Sequence, residues 1–401
     1  MKVAIVTYSL EIGGVETVIE KLYKNLEIKG NTCCIIETDR KGIASDFFRN
    51  RGFHVKTLIP KPFELRRSYL NDLVNYLNDF DVVLINFSRV THSIVGMLSN
   101  GIVAISIIHN DTKVIIQVGC SNLINTNKIV CVSKALQLKA NIYTRKRFGN
   151  KIITIPNGVD VPDTYPKVLN NVVDLPLELI FIGRLEDTQK GCFMLLDICK
   201  VLRDKNVNFH LEIIGTGPSE IELKTEVSEY DLESCISFLG SLPHKEAMIR
   251  LSDKAALIMP SNFEGQGLVY LEAMARGVVP IVSLLKNNTD LVIDDGVNGF
   301  LCEKRNALSF ANVIITISND RNLLDKISFN AWKTAVSKLS VDSMISKYLN
   351  EISNLKSCDL LIRTNSIDKG FSGVLYFPNI IYMIKPFLSR VAKSMFKAFS
   401  K

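Results

Sequence analysis

Ser261-Asn262-Phe263-Glu264-Gly265-Gln266-Gly267-Leu268-Val269-Tyr270-Leu271-Glu272-Ala273-Met274-Ala275-Arg276-Gly277 joins one apolar segment, 255–259, to another, 278–283. The first segment reads as a strand, the glycines as a turn, the residues from about Leu268 as a helix, and the second segment as the next strand. Strand, helix and strand in succession make a parallel βαβ unit. Gly265 and Gly267 let the backbone approach a ligand closely, and a helix starting near Leu268 aims unpaired N–H groups and a positive dipole at an anion such as a diphosphate. Glu272 falls about one turn inside that helix, where its carboxylate can accept hydrogen bonds from hydroxyls of the same ligand.

The same alternation extends in both directions. Segments 2–8, 32–38, 54–58, 82–86, 103–108, 128–132 and 151–155 read as strands with helical patterns between them, and a second series comprises 177–182, 209–214, 235–239, 255–259 and 278–283. The expected fold class is α/β, with two Rossmann-like, doubly wound parallel-sheet domains facing a cleft at their strand C-terminal ends. The expected division is 1–160, 161–341, and a C-terminal part, 342–401, that holds one helix pattern at 342–356 and a tail. Pro156-Asn157-Gly158-Val159-Asp160-Val161-Pro162 and the polar stretch with Pro166 and Pro176 mark the linker.

Composition narrows the class. With 401 residues, 47% hydrophobic and 22% charged, the chain can bury two ordinary cores. Nine scattered cysteines without a C-x-x-C pair suggest neither a disulfide framework nor a zinc site, and fit the cytoplasm. The opening residues read as a first strand, and no apolar run reaches the roughly 18–20 residues needed to span a bilayer. A net charge of +7 is modest for this length and fits nucleic acid or an anionic surface; its distribution decides more, and no nucleic-acid partner is expected. Part of it is concentrated: Lys369, Lys385, Arg390, Lys393, Lys397 and Lys401 stand in a tail without Asp or Glu. At 100° per residue, Arg390, Lys393, Lys397 and Lys401 oppose Ile384, Phe387, Leu388, Val391, Met395 and Ala398, which fits either an anionic membrane surface or a terminal helix packed on the protein.

After the strand 177–182 comes Gly183-Arg184-Leu185-Glu186-Asp187-Thr188-Gln189-Lys190-Gly191. A guanidinium and an ammonium at a strand's C-terminal end can converge on phosphate oxygens. Alone they read as residues of a solvated loop; beside 261–277 they read as a phosphate-binding pair.

Taken together, Gly13-Gly14-Val15-Glu16, Val132-Ser133, Pro156-Asn157-Gly158-Val159-Asp160, Gly183-Arg184-Leu185, Lys190-Gly191, Gly215-Thr216-Gly217-Pro218, Glu264 to Glu272, and Asp295-Gly296-Val297-Asn298-Gly299-Phe300 resemble the retaining nucleotide-sugar glycosyltransferases of family 4, which have the two-domain GT-B fold. The resemblance covers about residues 1–350. It implies that Glu264 holds hydroxyls of the donor sugar, Glu272 the ribose, and Arg184 and Lys190 the diphosphate, with Gly183, Gly215, Gly265, Gly267 and Leu268 around the nucleotide. It places Gly14 on the facing domain and His109 near the reacting sugar. Arg184, Lys190, Glu264 and His109 are thereby the catalytic candidates. The implied reaction passes one sugar from a nucleotide diphosphate, with UDP expected, to a saccharide or lipid-linked acceptor of a bacterial surface polysaccharide such as O-antigen, capsule or lipopolysaccharide. No cofactor or metal is expected: the D-x-D candidate Asp79-Phe80-Asp81 reads as a turn before a strand, and Arg184 and Lys190 supply positive charge.

Some positions depart from the family pattern. Gln266 replaces an apolar or aromatic residue, Asn287-Asn288-Thr289-Asp290 replaces a glycine-rich motif, and the loop from Arg184 to Lys190 is one residue longer. Competing readings are a non-hydrolysing UDP-sugar epimerase, a dehydrogenase suggested by Gly215-Thr216-Gly217, and a catalytically degenerate assembly partner. Lys61, Arg66, Arg67, Lys134, Lys139, Arg145, Lys146, Arg147 and Lys151 form basic stretches of the first domain that, with the tail, would suit a peripheral position on the inner face of the cytoplasmic membrane.

Overall fold

The computed structural model describes residues 1–62, 64–166, 175–357 and 361–366. The amphipathic pattern of the tail, residues 384–401, lies outside the described residues, as do 167–174 of the linker stretch and Cys358.

The first sheet has seven parallel strands: β1 (Lys2–Thr7), β2 (Thr32–Glu37), β3 (Val55–Thr57), β4 (Val82–Asn86), β5 (Val103–Ile108), β6 (Lys128–Cys131) and β7 (Ile152–Thr154). Their order is β3-β2-β1-β4-β5-β6-β7. The second sheet comprises β8 (Leu177–Ile182), β9 (Phe209–Ile214), β10 (Ile236–Gly240), β11 (Ala256–Met259), β12 (Val279–Ser283) and β13 (Phe300–Cys302), ordered β10-β9-β8-β11-β12-β13. All registers in both sheets are parallel.

Parallel strands covered on both faces must be apolar at successive positions, and β4 and β5 are buried throughout. Alternate residues serve opposite layers: Val3 and Ile5 join one core, Ala4 and Val6 the other. In the second sheet Leu179 and Phe181 face one layer while Ile180 faces the other. Strand order reverses direction between β1 and β4, and again between β8 and β11. Loops diverge at these two points and leave crevices at the strand C-terminal ends.

The chain crosses between the sheets twice, and the crossings are bonded to each other. Val159 N–H donates to Leu339 O at 2.8 Å, and Val341 N–H donates back to Val159 O at 3.2 Å. A Cβ on Gly158 would lie 2.5 Å from Val341 Cα, so only glycine allows this approach. Beyond the second crossing, the helix Val341–Ser357 buries Val341, Met344, Ile345, Tyr348 and Ile352 in a core shared with β1 and β5. Residues 361–366 then lie along the first sheet's domain, where Arg363 Nη2 donates to Ile102 O at 2.6 Å and to Asn127 Oδ1 at 3.1 Å. Among the described residues the eight cysteines are unpaired, all buried except the half-buried Cys235. No helix among the described residues is long and apolar enough to cross a membrane.

Candidate functional site

The two crevices face each other and enclose a cavity of about 840 Å³. Its lining comes from strand C-terminal ends: Gly13 and Gly14 after β1, His109 and Asn110 after β5, Gly183 and Arg184 after β8, and Glu264 to Gly267 after β11. Gly14, His109, Gly183, Arg184, Lys190, Gly215, Glu264, Gly265, Gly267, Leu268 and Glu272, the residues singled out in the sequence, all border this one space.

Glu264 and Lys190 meet at its floor. Lys190 Nζ lies 2.6 Å from Glu264 Oε1, and Ser261 Oγ donates to the same oxygen at 2.8 Å. Both side chains are largely shielded, with 17% of Lys190 and 6% of Glu264 exposed. The extra residue in the loop after β8 is taken up by a short helix, Asp187–Lys190, whose N-terminus Glu186 caps by accepting from Thr188 and Gln189 N–H. Asn262 Nδ2 ties that helix to the neighbouring strand end by donating to Asp187 O and Thr188 O, both at 3.2 Å. Despite the longer loop, Lys190 borders the cavity. Arg184 stands exposed at the same strand end, without an ion pair among the described residues.

Glu272 sits one turn into the helix Leu268–Ala275 and is 5% exposed. His244 Nε2 lies 2.9 Å from its Oε1. Lys21, from the first helix, Gly14–Ile28, approaches the same oxygen to 3.8 Å. Gly267 is the N-cap of the Leu268–Ala275 helix, whose N-terminus faces the cavity and has no side-chain cap among the described residues.

His109 is half-buried at the cavity edge, and desolvation pushes its imidazole down to about 4. The ring is neutral at pH 7 and brings no charge to the site. Its Nε2 lies 2.7 Å from Asn86 Oδ1. With the Asn86 amide turned so that Oδ1 faces the ring, Nε2 carries the hydrogen and Nδ1 is left as an acceptor.

Backbones meet across the cleft. A Cβ on Gly265 would lie 2.0 Å from His109 O, and one on Gly14 would touch Leu268 Cδ1 at 3.4 Å. Ala135 N–H donates to Asn287 O at 2.8 Å, joining the first domain to the Asn287–Asp290 turn. Asn288, in that turn, donates from Nδ2 to Glu264 O and Gly265 O at 2.8 and 3.1 Å. Gln266, which departs from the family pattern, reaches the linker, where its Oε1 accepts from Asn157 N–H at 2.7 Å. Gly215 and Gly217 pack against Gly183 O and Leu185 O, where a Cβ would lie at 1.9 and 2.2 Å. That close loop packing accounts for the two glycines without a dinucleotide fingerprint.

Asp81 Oδ2 accepts from Lys2 N–H at 2.7 Å at the opening end of β4, away from the cavity. Among the described residues one group, Glu178, His210 and Glu212, has metal-capable atoms within 4.8 Å of one another. Lys254 Nζ already lies 2.8 Å from both carboxylates. None of the three borders the cavity.

Lys21, Gln189, His244 and Ser261 were not singled out in the sequence, and Asn288 only as part of a departure from the family pattern. Lys21 carries the one local signal, a lysine buried on the apolar face of an amphipathic helix beside Val18 and Leu22.

Residues 170–334 match the family model Glycosyl transferases group 1. The second domain belongs to this family. A segment of 176 residues, 42% of the chain, is 28% identical to the amylovoran biosynthesis glycosyltransferase AmsK of Erwinia amylovora and spans 42% of that protein. The chain thus matches less than half the length of this curated relative. Over 88% of the chain, the structure superposes on all of Anabaena Alr3699/HepE in complex with UDP, with a TM-score of 0.75 and 19% identity. It superposes likewise on 99% of a Staphylococcus aureus TarM mutant in complex with fondaparinux, alpha-GlcNAc-glycerol and UDP, with a TM-score of 0.71 and 14% identity. At such identities these neighbours speak for the fold, which is GT-B.

Proposed function

We propose that this chain is a retaining glycosyltransferase that moves a sugar from a UDP-sugar to a saccharide or lipid-linked glycan in bacterial surface-polysaccharide synthesis. The observation that carries this reading is the Lys190–Glu264 pair, 2.6 Å apart on the cavity floor, with Arg184 at the same strand end and Glu272 one helical turn further on. A diphosphate and two sugars make this set of demands: cations for the phosphates, and shielded carboxylates for the hydroxyls. The family match of the second domain, the UDP complex of the Anabaena neighbour and the likeness to an amylovoran biosynthesis glycosyltransferase support the same choice.

In this reading Arg184 and Lys190, with N–H groups at Gly267 and Leu268, neutralise the diphosphate as it leaves. Glu264 accepts from donor-sugar hydroxyls, and His109 Nδ1 accepts another. The acceptor hydroxyl attacks on the face that the diphosphate vacates. Its proton passes to a phosphate oxygen, so the protein's task is positioning and charge stabilisation without a metal. The acceptor enters from the first domain's side.

The test is a transfer assay with a panel of UDP-, GDP- and ADP-sugars, saccharide acceptors and lipid-linked acceptors in membrane extract. Expected are UDP release, incorporation of the sugar with the donor's anomeric configuration, and no loss of rate in EDTA. Conversion of the free nucleotide sugar without an acceptor would replace this reading with epimerisation. Inversion at the anomeric carbon would remove the retaining mechanism.

A further inference from the structure

Lys21 is an unusual occupant of its position. It lies on the inward face of the first helix among Val18, Ile19 and Leu22, with 7% of its side chain exposed. A buried ammonium needs compensation, and here it comes from three residues in two parts of the molecule, the hinge and the second domain. Gly158 O, in the hinge, accepts from Nζ at 3.5 Å. Asp160 Oδ2, also in the hinge and largely exposed, lies 3.6 Å away. Glu272 Oε1, in the second domain, lies 3.8 Å away and is 6% exposed. Among the described residues, Lys21 is the first-domain side chain that forms an ion pair with Glu272.

The two distances to carboxylates are those of ion pairs rather than hydrogen bonds, so the tie is electrostatic and depends on how close the domains stand. Separating the domains would leave Lys21 with its hinge partners and water, while Glu272 would keep His244, whose side chain is 48% exposed. Closing them places the ammonium behind one Glu272 oxygen. The carboxylate's other oxygen, Oε2, has no protein partner among the described residues, and Glu272 borders the cavity. A ligand hydroxyl donating to Glu272 then meets a carboxylate whose charge and orientation are maintained from the opposite domain. Because Lys21 sits two turns along the helix that Gly13 and Gly14 begin, the same contact holds that helix start over the cavity.

We propose that Lys21 is a positioning residue that couples ribose capture at Glu272 to closure of the first domain over the nucleotide. This rests on the reading of Glu272 as the ribose ligand. It predicts that Lys21 matters for nucleotides with ribose hydroxyls and is indifferent to those without them.

The test compares UDP with 2′,3′-dideoxy-UDP by titration calorimetry on the full chain. Wild-type protein should prefer UDP by at least about tenfold, which is about 1.4 kcal/mol. Lys21→Met should bind UDP about tenfold more weakly, bind the dideoxy compound within threefold of wild type, and so lose the preference. Glu272→Gln should lose it as well. Equal weakening toward both nucleotides, or a preserved preference in Lys21→Met beside a lost one in Glu272→Gln, would overturn the role of Lys21 and leave the ribose reading standing. A wild-type protein without preference would overturn both. If Lys21→Met does not melt cooperatively, Lys21→Gln, whose amide can still donate to Gly158 O, carries the same comparison with the same criteria.

Discussion

Lys190→Ala is expected to lower kcat about a thousandfold, or about 4 kcal/mol of transition-state stabilisation. Two losses combine. The ammonium that would meet negative charge growing on the leaving diphosphate is gone, and preorganised charge in a shielded site is the largest catalytic term such a site can offer. Glu264, 6% exposed, also loses the cation 2.6 Å from its Oε1, which leaves a buried carboxylate held by Ser261 and by Gln189 Nε2 at 3.5 Å. Breaking a buried pair by removing one member costs about 3–5 kcal/mol. Steady-state transfer rates, with thermal melting to confirm folding, check this. A loss below tenfold would place the diphosphate elsewhere.

Gly265→Ala is expected to lower kcat/KM about a hundredfold while the domains stay folded. The new Cβ would stand 2.0 Å from His109 O, 2.8 Å from His109 C and 3.0 Å from Asn110 Cα. All three are backbone or backbone-bound atoms that cannot rotate aside. Gly265 itself is fixed from behind, because Asn288 Nδ2 donates to its carbonyl and to that of Glu264. Relief therefore comes by parting the two domains, which separates Gly14 from Leu268 and His109 from the Glu264 loop. Gly265 does not occupy the left-handed region, so alanine imposes no strain within the second domain. The melting temperature should stay within about 2–4 °C, equivalent to about 1 kcal/mol for domains of this size. Small-angle scattering should show a larger radius of gyration. Unchanged kinetics would mean that the domains do not close as described.

Most of the fold was legible because buried parallel strands are written as continuous apolar runs. Twelve strands were expected at positions matching β1 to β12 to within one or two residues. β13 was missed because Phe300-Leu301-Cys302 is too short to show a period. The site was legible where chemistry is local: Glu264 and Glu272 sit on one turn and helix, and Arg184 and Lys190 on one loop. What escaped depends on distant parts of the chain. Lys21 meets Gly158, 137 positions away, and Gln266 bonds to Asn157, 109 positions away. No local pattern encodes such pairs, since they exist only once two separately folded sheets have been brought face to face.

The most direct test of the donor site is a crystal structure of the protein with UDP. The expected result has the diphosphate between the Gly13–Gly14 turn and the Arg184 and Lys190 side chains, with ribose hydroxyls donating to Glu272. UDP bound outside the cleft, or within it with neither Arg184 nor Lys190 touching phosphate oxygens, would contradict the assignment.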